Sequence, residues 1–532
     1  MMDIREIEKI IDEEHKNSPV FYEGKEQTIF DLLTTFEDTC GQILMGSLLN
    51  PFALKRITDQ MDALNISLLW ADQLCHKDTE SLRTVITETR YEECCELLTK
   101  YAYPYSVICS GYISYSRKRF DAEITGNRVT FNPCANQNSS MWSDIIREAS
   151  DVDFNAMFNI IDPFRLSSVI NELKEQVEIE NDYICYSLCD RHISIFKDLA
   201  EKQWDVSKTL PDNWRFDSFS LNEYKEFWVS LTALCYIHFC NCFAIADPLV
   251  RIKNSTIIQN INSIVEYIEA ESKLPKEKIE AIIKYITFDP KKKNVDIMYQ
   301  PIVMFEDETL IIAPILFMGS RPERNLLSVI SSAHDREYSK EVNKLEGLMV
   351  GELESTVLSQ YKAKHKHLRD DLPDVDFAVF DETTNSALIC ETKWFAAADS
   401  TKEVLSKEDE ITHGCQQIES IMLYAMSNKV QFIKQVFNVD VDGDSVDLFG
   451  CVVAKHNIRT QHKYIPVIDL KRIKELFSKY PLNSVFHIIR NHEFELPLPE
   501  DATITHTSVY YAGFEFRIPA ICFGFTQGNF QR

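Results

Sequence analysis

One uncharged segment constrains the fold of this chain more than any other feature. Residues Phe227–Ala246 run for twenty positions without an Asp, Glu, Lys or Arg, which is about the length of a helix that crosses a bilayer. Polar side chains interrupt the segment at Ser230, His238 and Asn241, and no second segment like it occurs. We therefore interpret it as a buried core helix and expect a protein with no membrane partner.

The composition is that of a folded globular protein. Of 532 residues, 45% are apolar and 26% are charged, with only 14 glycines and 18 prolines, which excludes collagen-like, low-complexity and disordered classes. A chain of this length is expected to form about three domains. The 15 cysteines are scattered and the segment Met1–Ser18 is charged, a combination typical of reduced thiols without a secretory signal. We therefore expect a cytoplasmic protein.

Negative charge is concentrated in the N-terminal part of the chain. The formal net charge is −26, of which −18 falls on residues 1–330 and −8 on the residues from Ser331 onward. A field of this sign repels nucleic acid and anionic membranes. Any nucleic-acid surface is therefore expected in the C-terminal part or from a partner, and the acidic N-terminal region is a candidate for regulation or for binding a protein partner.

Hydrophobic periodicity predicts an α+β multidomain protein with a mainly helical N-terminal region and a C-terminal α/β domain. Four segments are predicted, namely a helical bundle over 1–100, a mostly helical region with a small β-hairpin insert over 101–290, a β-hairpin connector over 291–330 and the C-terminal domain over 331–532.

Two hairpins are predicted outside the C-terminal domain. The insert lies between Tyr101 and Cys134, where aromatic and β-branched residues, Tyr112 and Tyr115 among them, surround a turn at Gly126-Asn127. The connector consists of Ile297–Phe305 and Thr309–Phe317, separated by a short acidic turn.

The residues with the clearest chemical pattern lie in Leu372–Trp394, which is predicted to form a strand, a turn and a second strand. If the polar turn is centred after Thr383, Asp376 lies opposite Glu391, and such cross-strand neighbours hold their Cβ atoms about 5 Å apart. Lys393 lies two residues after Glu391 and therefore projects from the same face. Two carboxylates at this spacing can share a divalent cation.

A third acidic ligand is predicted on the helix expected over Ser339–Tyr361. Glu346 lies alongside the apolar stripe of this helix and would therefore face inward; the stripe consists of Val342, Leu345, Met349 and Leu353. The basic run Lys362–Arg369 that follows is either a set of phosphate contacts or the solvated end of a helix, where cations complement the dipole.

The order of these residues resembles the PD-(D/E)XK nuclease superfamily, the restriction endonuclease-like fold. Asp376 is followed after fourteen residues by Glu391-Thr392-Lys393, behind a helix that carries Glu346. The resemblance implies that Asp376, Glu391 and Glu346 bind Mg²⁺ or Mn²⁺, and that Lys393 positions the attacking water or stabilises the developing charge. Pro373-Asp374 supplies a literal PD, so Asp374 is the alternative to Asp376 as a metal ligand.

The resemblance extends over about Ser331–Tyr480 and implies one more site residue. Many members carry a glutamine on the helix after the catalytic hairpin, and Gln417 matches that position here. The spacing of seven residues from Gln417 to Tyr424 departs from the QxxxY pattern of RecB-like exonucleases, so the resemblance does not extend to that subfamily.

The function implied by the resemblance is a metal-dependent endonuclease that hydrolyses phosphodiester bonds, with DNA favoured over RNA as the bound nucleic acid. A nuclease domain behind a large acidic helical region resembles the effectors of bacterial antiviral defence. Many nucleases of this fold dimerise, so an oligomer is left open. The alternative is a non-catalytic helical scaffold or adaptor with a degenerate nuclease domain. The chain contains no GxxxxGK[ST], GxGxxG, HExxH or GxSxG motif, which leaves ATP-driven translocation, dinucleotide chemistry and serine hydrolysis without a basis.

Overall fold

A computed structural model describes residues 3–47, 51–77, 81–134, 163–208, 210–212, 214–216, 218–292, 295–333, 335–358, 361–398, 400–442, 445–458, 460, 464–495 and 502–523. The described chain is a mixed α/β structure and falls into two compact units. The first unit comprises the described residues of Met1–Ile108, Asp153–Asp335 and Val509–Glu515. The second unit comprises those of Cys109–Val152, Arg336–Ser508 and Phe516–Arg532. The predicted β-hairpin insert therefore groups with the C-terminal elements, whereas the sequence segments placed it in the middle region.

The chain up to residue 333 is mainly helical. Helices α1 to α7 are Ile4–Glu14, Lys25–Ser47, Pro51–Leu74, Glu88–Glu96, Tyr103–Ser116, Pro163–Gln176 and Asp190–Ser207. Helices α8 to α13 are Leu221–Cys242, Pro248–Lys253, Ile261–Ser272, Lys276–Tyr285, Pro314–Gly319 and Pro322–Ala333. Strands β1 to β9 are Phe120–Thr125, Arg128–Pro133, Glu178–Glu180, Tyr183–Cys185, Arg215–Phe216, Phe219–Ser220, Ile257–Asn260, Ile302–Met304 and Thr309–Ile312.

Helix α8 contains most of the uncharged segment and is buried along its length. It begins at a capping box in which Ser220 and Glu223 each accept a hydrogen bond from the other's backbone N–H. Phe227, Trp228 and Cys235 are fully buried, so the prediction of a core helix is confirmed. Within the described ranges, no helix is long and apolar enough to cross a membrane.

The predicted insert is half right. Strands β1 and β2 pair around the turn at Gly126-Asn127, with Ile124 opposite Val129. Tyr112 and Tyr115, however, belong to helix α5 and not to a strand. The buried face of this part of α5 is formed by Ile108, Gly111 and Ser114, and two of these are small residues that a count of apolar side chains does not detect.

The predicted connector forms a hairpin that is shorter than expected. Strands β8 and β9 are antiparallel, with Val303 opposite Ile311, and Glu306-Asp307-Glu308 lies between them. Phe317 was predicted to be the end of the second strand and instead lies in helix α12. Pro314 is the first residue of that helix, a position where its fixed backbone angle favours a helix start.

The second unit contains a five-stranded mixed sheet. Its elements are helices α14 to α18, Asp335–Thr356, Thr401–Ser427, Lys429–Phe437, Leu470–Lys479 and Leu482–Arg490, and strands β10 to β14, Lys362–Lys366, Val375–Asp381, Ser386–Lys393, Asp447–Ala454 and Val467–Asp469. The strand order is β10-β11-β12-β13-β14. The first three strands are antiparallel, and β12, β13 and β14 are parallel. Strands β15 and β16, Ala502–Tyr511 and Phe514–Phe523, join β1 and β2 in a four-stranded sheet.

The order of elements around the sheet differs from the prediction by one strand. The helix expected over Ser339–Tyr361 ends at Thr356, and the basic run that follows contains strand β10. Lys362 still binds the end of α14, because its Nζ donates to the carbonyl oxygens of Glu354 and Val357 at 2.7 and 3.1 Å. The prediction that the basic run is the solvated end of a helix is therefore wrong, because the run contains a strand. One lysine of the run nevertheless donates to carbonyl oxygens at the end of α14.

Helix α15 covers one face of the sheet over β12 and β13. Ile411, Cys415 and Ile418 of α15 belong to the same buried apolar cluster as Ile389 and residues of β11 and β13. The helix approaches β13 most closely at Gly450, where an added Cβ would lie 2.5 Å from Ile418 Cγ2. The crossover through α15 and α16 also explains how β13 runs parallel to β12, since parallel neighbours need a long connection.

Candidate active site

The hairpin of β11 and β12 has the register that the sequence predicts. Phe377 pairs with Cys390 and Asp381 pairs with Ser386, as expected for a turn centred after Thr383. Asp376 lies one residue before the first of these pairs. This pairing carries Asp376 to the end of β12, where Glu391, Thr392 and Lys393 follow an apolar run.

Thr392 holds the carboxylate of Asp376. The backbone N–H and the hydroxyl of Thr392 both donate to Asp376 Oδ2, at 2.7 and 2.9 Å. Thr392 is 1% exposed, so water does not compete for these bonds. No described residue donates to Oδ1 of Asp376, which leaves that oxygen for a ligand.

Asp374 has different surroundings. Its Oδ1 forms a hydrogen bond with His367 Nδ1 at 2.9 Å, and its side chain is exposed. This bond to Asp374 raises the pKa of His367. The structure therefore places Asp376, and not Asp374, beside Glu391 and Lys393.

Glu391 and Lys393 form a buried ion pair on β12. Lys393 Nζ lies 2.7 Å from Glu391 Oε1, and Glu391 is 3% exposed. Burial raises the pKa of Glu391 to about 7, the negative charge of Asp376 adds to this, and Lys393 acts in the opposite direction. Burial lowers the pKa of Lys393, but the negative charges of Glu391, Glu346 and Asp376 raise it by more than burial lowers it. The pKa of Lys393 is therefore raised overall, and the side chain stays an ammonium ion.

Glu346 reaches the same group of charges from helix α14. Its Oε1 accepts a hydrogen bond from the backbone N–H of Trp394 at 3.3 Å. Burial raises the pKa of Glu346, Lys393 and the Trp394 N–H lower it, and Asp376 raises it. Three carboxylates thus interact with a single ammonium ion, and the resulting excess of negative charge at a buried position favours uptake of a cation or a proton.

Helix α15 passes close to this group because it has a glycine there. A Cβ at Gly414 would lie 3.0 Å from Lys393 Cε and 3.4 Å from Glu391 Cγ, closer than the usual contact of about 3.5 to 4.0 Å between carbon atoms. Gln417 lies three residues further along α15, and its Oε1 is buried with no hydrogen-bond partner among the described residues. The helix therefore brings an unused acceptor to the neighbourhood of the carboxylates.

The residues present fit a divalent cation held by two carboxylates and water. Asp376 and Glu391 offer hard oxygen donors, and Mg²⁺ is commonly bound through one or two carboxylates while it keeps several waters. In the part of the chain that the structure describes, no three His, Cys, Asp or Glu side chains are grouped closely enough to hold a metal ion. Glu346, with its bond to Trp394, is therefore not brought into a three-ligand cluster with the other two.

The basic run does not form an open surface of free cations. Lys364 pairs with Glu354 at 2.7 Å, and Arg369 pairs with Asp371. The charges of Lys364 and Arg369 are thereby balanced by acidic neighbours. The interpretation as phosphate contacts stays a prediction that concerns the remaining cations of the run.

Two residues of this site were not recognised from the sequence. Thr392 lies between two charged residues and has no pattern of its own, because its role depends on where β11 begins. Gly414 had a detectable signal, since a glycine inside a helical pattern indicates a close approach. Gly414 lies in the middle of α15, which begins at Thr401.

Comparisons with known proteins add no relative to this description. The chain has no significant match to a protein-family model, to a curated protein or to a solved structure.

Proposed function

We propose that this protein is a metal-dependent nuclease whose active site is formed by Asp376, Glu391 and Lys393. The observation that carries the proposal is the ion pair between buried Glu391 and half-buried Lys393, 2.7 Å long, at the end of a strand whose neighbour supplies Asp376. Placing a buried carboxylate beside a second carboxylate and a half-buried lysine costs free energy, and such arrangements are concentrated at functional sites. Bound Mg²⁺ would neutralise the phosphate charge and lower the pKa of a water molecule.

Each residue has a distinct role in this proposal. Asp376 and Glu391 hold the metal, and Thr392 fixes the orientation of the Asp376 carboxylate through its two hydrogen bonds. Lys393 positions the attacking water and stabilises negative charge on the phosphate. Gln417 and Glu346 are proposed to contribute from α15 and α14.

The finer fold assignment belongs to the same proposal. We assign α14, β10 to β13 and α15 to a domain of the PD-(D/E)XK type, on the strength of the mixed sheet and of the position of Asp376, Glu391 and Lys393 at one end of the hairpin. We propose DNA as the substrate in preference to RNA, cytoplasmic action, and a role for the acidic N-terminal region in regulation or in binding a protein partner, as in an antiviral defence effector.

A specific observation favours the competing scaffold function. In the described ranges no three-residue metal cluster exists, and Asp376, Glu391 and Glu346 each already accept a hydrogen bond from the protein. A degenerate domain would have this appearance if the carboxylates had become purely structural. The two functions differ in whether the carboxylates exchange these protein donors for a metal.

The deciding experiment is a cleavage assay on purified protein. Supercoiled plasmid, linear duplex, single-stranded DNA and RNA are incubated with Mg²⁺, Mn²⁺ or EDTA. The nuclease proposal expects metal-dependent cleavage that disappears in Lys393→Ala.

A matched control tests whether the loss is specific to the site. Lys407→Ala removes another lysine with a 2.7 Å ion pair and nearly the same exposure, 15% against 16%, and it should cleave like the wild type. Cleavage that survives in Lys393→Ala would refute the assignment of the lysine, and no cleavage of any substrate would favour the scaffold.

A further inference from the structure

A cleft of about 520 Å³ lies in the second unit between the end of α14, the end of β13 and helix α17. Its lining includes Glu352, Thr356, Lys455, Lys471, Lys474 and Ser478. This volume is within the range of about 300 to 1,000 Å³ that is typical of ligand sites. None of these residues is part of the candidate active site.

The cleft directly adjoins the active-site strand. Lys393 pairs with Ala454 across the parallel strands, and the backbone N–H of Lys455 donates to the carbonyl oxygen of Lys393 at 2.9 Å. Helix α14 also contributes to both places, with Glu346 at the site and Glu352 in the cleft. A ligand in the cleft would therefore be held by elements that also position the catalytic groups.

The charges of the cleft favour an anion. Its two acidic residues are already paired, Glu352 with Lys474 at 2.6 Å and Glu475 with Arg472 at 3.3 Å. Lys455 and Lys471 form no ion pair with any described residue. Among the residues that the structure describes, two ammonium groups of the cleft thus have no acidic partner, in a chain whose net charge is −26.

Local helix energetics do not account for Lys471. Helix α17 carries four basic residues and one acidic residue, and Lys471 lies in its first turn, where the helix dipole disfavours a cation. The apolar face of α17, with Ile473 and Phe477, is buried and accounts for its packing. Arg472 and Lys479 pair with Glu475, and Lys474 pairs with Glu352. Among the described contacts of this helix, the charge of Lys471 is therefore left to be explained by something that it binds.

We infer that this cleft binds a backbone phosphate of the nucleic acid, next to the phosphodiester bond that is cut. The inference rests on the nuclease function proposed above. Lysine ammonium groups and hydroxyls such as those of Thr356 and Ser478 are common donors to phosphate oxygens. The contact positions the strand and carries no sequence information, so the cleft contributes affinity and register and not base recognition.

The test measures binding without cleavage. Fluorescence anisotropy of labelled duplex and single-stranded DNA is recorded in EDTA over a range of NaCl concentrations, for the wild type and for Lys455→Gln/Lys471→Gln. The double variant should bind at least about tenfold more weakly, and its slope of log affinity against log salt should fall by about 1 to 2, since each phosphate contact contributes nearly one unit.

The control removes the same charge elsewhere in the second unit. Lys402→Gln/Lys434→Gln alters two lysines that do not line the cleft, and it should keep the wild-type affinity and salt slope. An equal loss in both double variants, or wild-type binding in the cleft variant, overturns the inference.

Competition with inorganic phosphate and ATP identifies the source of the phosphate. Tighter binding of ATP than of DNA through the same two lysines would also overturn it.

Failure of this inference can be told apart from failure of the nuclease proposal by adding Mg²⁺. If the wild type cleaves DNA and the cleft variant binds and cleaves equally well, the nuclease stands and the cleft assignment fails. If the cleft variant loses binding while the wild type cleaves nothing, the phosphate site stands and the nuclease fails. Absence of any DNA binding by the wild type overturns the cleft assignment.

Discussion

Among the residues of the site, Glu391 has the most unusual surroundings. It is 3% exposed, and its pKa is raised to about 7 because of burial and the nearby charge of Asp376. Its ordinary value is 4.5, so between these two pH values the folded protein holds a proton that the unfolded chain has lost. Stability from this group is complete below about pH 4.5 and is lost as the pH rises through about 7.

Glu391→Gln should therefore become more stable than the wild type as the pH rises. The amide stays neutral, so the variant avoids the cost of a buried charge, which amounts to at most about 3 kcal/mol. In this variant the ammonium group of Lys393 still interacts with the negative charges of Glu346 and Asp376. Thermal unfolding in EDTA at pH 5 and pH 8 should show a difference between variant and wild type that increases with pH. A pH-independent difference, or the same trend in the exposed control Glu382→Gln, would contradict this account.

Thr392 offers a second residue-level prediction. Thr392→Val removes the hydroxyl that donates to Asp376 Oδ2 at 2.9 Å and keeps the backbone N–H that donates at 2.7 Å. Loss of one such bond should cost about 1 kcal/mol of stability. If Asp376 binds a metal, the Mg²⁺ concentration for half-maximal cleavage should rise about tenfold or more, because groups that orient ligands tune metal affinity. Thr392→Ser should restore it, and a Ser variant as defective as Val would show that packing, not the hydroxyl, matters.

At the scale of elements, the strands that could be predicted are those whose sequence contains a clear hydrophobic pattern. Strands β11 and β12 are nearly continuous apolar runs that are buried on both faces, and charged residues bound them on either side of a polar turn. Because the residues of both faces are apolar, it is the position of the turn that determines the register. Strand β10 has no such pattern, since Lys362, Lys364 and Lys366 surround a single buried Ala363. It is a strand because it pairs with β11 at the edge of the sheet, where lysines also discourage pairing with other chains.

The residues of the candidate site likewise fall into those that the sequence predicts and those that it does not. Asp376, Glu391 and Lys393 were predictable because charges that follow an apolar run stand out in the sequence. Thr392 and Gly414 were not, because a hydrogen bond between strands and the distance of a helix from a sheet are determined by tertiary packing. Helix α5 shows the same limit, since its buried face includes Gly111 and Ser114.

Helix α15 contacts the sheet closely at two glycines, Gly414 of the helix itself and Gly450 of β13. Replacing each glycine by alanine is expected to change stability in opposite directions. Gly414→Ala should preserve or increase stability, because Ala is favoured over Gly in a helix by roughly 1 kcal/mol and the 3.0 Å contact is with the flexible Lys393 side chain. Activity should nevertheless fall, because Lys393 is displaced from Glu391. Chemical denaturation and the cleavage assay, on the same preparation, measure the two effects.

Gly450→Ala is the matched control at the other approach. Its Cβ would lie 2.5 Å from Ile418 Cγ2, a branched side chain in the buried core, so we expect a loss of roughly 1 to 3 kcal/mol from overpacking. If Gly414→Ala unfolded the protein as readily as Gly450→Ala, the glycine in α15 would serve packing alone. Full activity in a stable Gly414→Ala would show that Lys393 tolerates displacement.

At the scale of the whole molecule, the acidic charge and the site make a joint prediction. A chain with a net charge of −26 attracts divalent cations over its whole surface, so metal binding alone does not identify a site. Diffuse attraction is screened by salt within about 8 Å at physiological ionic strength, whereas a buried pair of carboxylates is screened far less. Metal-dependent stabilisation that persists in salt is therefore the signature of a defined site.

We expect Mg²⁺ or Mn²⁺ to raise the unfolding temperature of the wild type in 0.15 M salt, a concentration at which diffuse attraction is largely screened. A ligand at one hundred times its dissociation constant stabilises the folded state by about 2.7 kcal/mol. Because the chain has two compact units, calorimetry is the suitable method, since the site lies wholly in the second unit and a stepwise unfolding would shift in one step only. Asp376→Asn should abolish the shift and Asp374→Asn, at an exposed position, should leave it intact. An equal shift in both variants would mean that the metal binds diffusely, and the scaffold function would then be the better description of this protein.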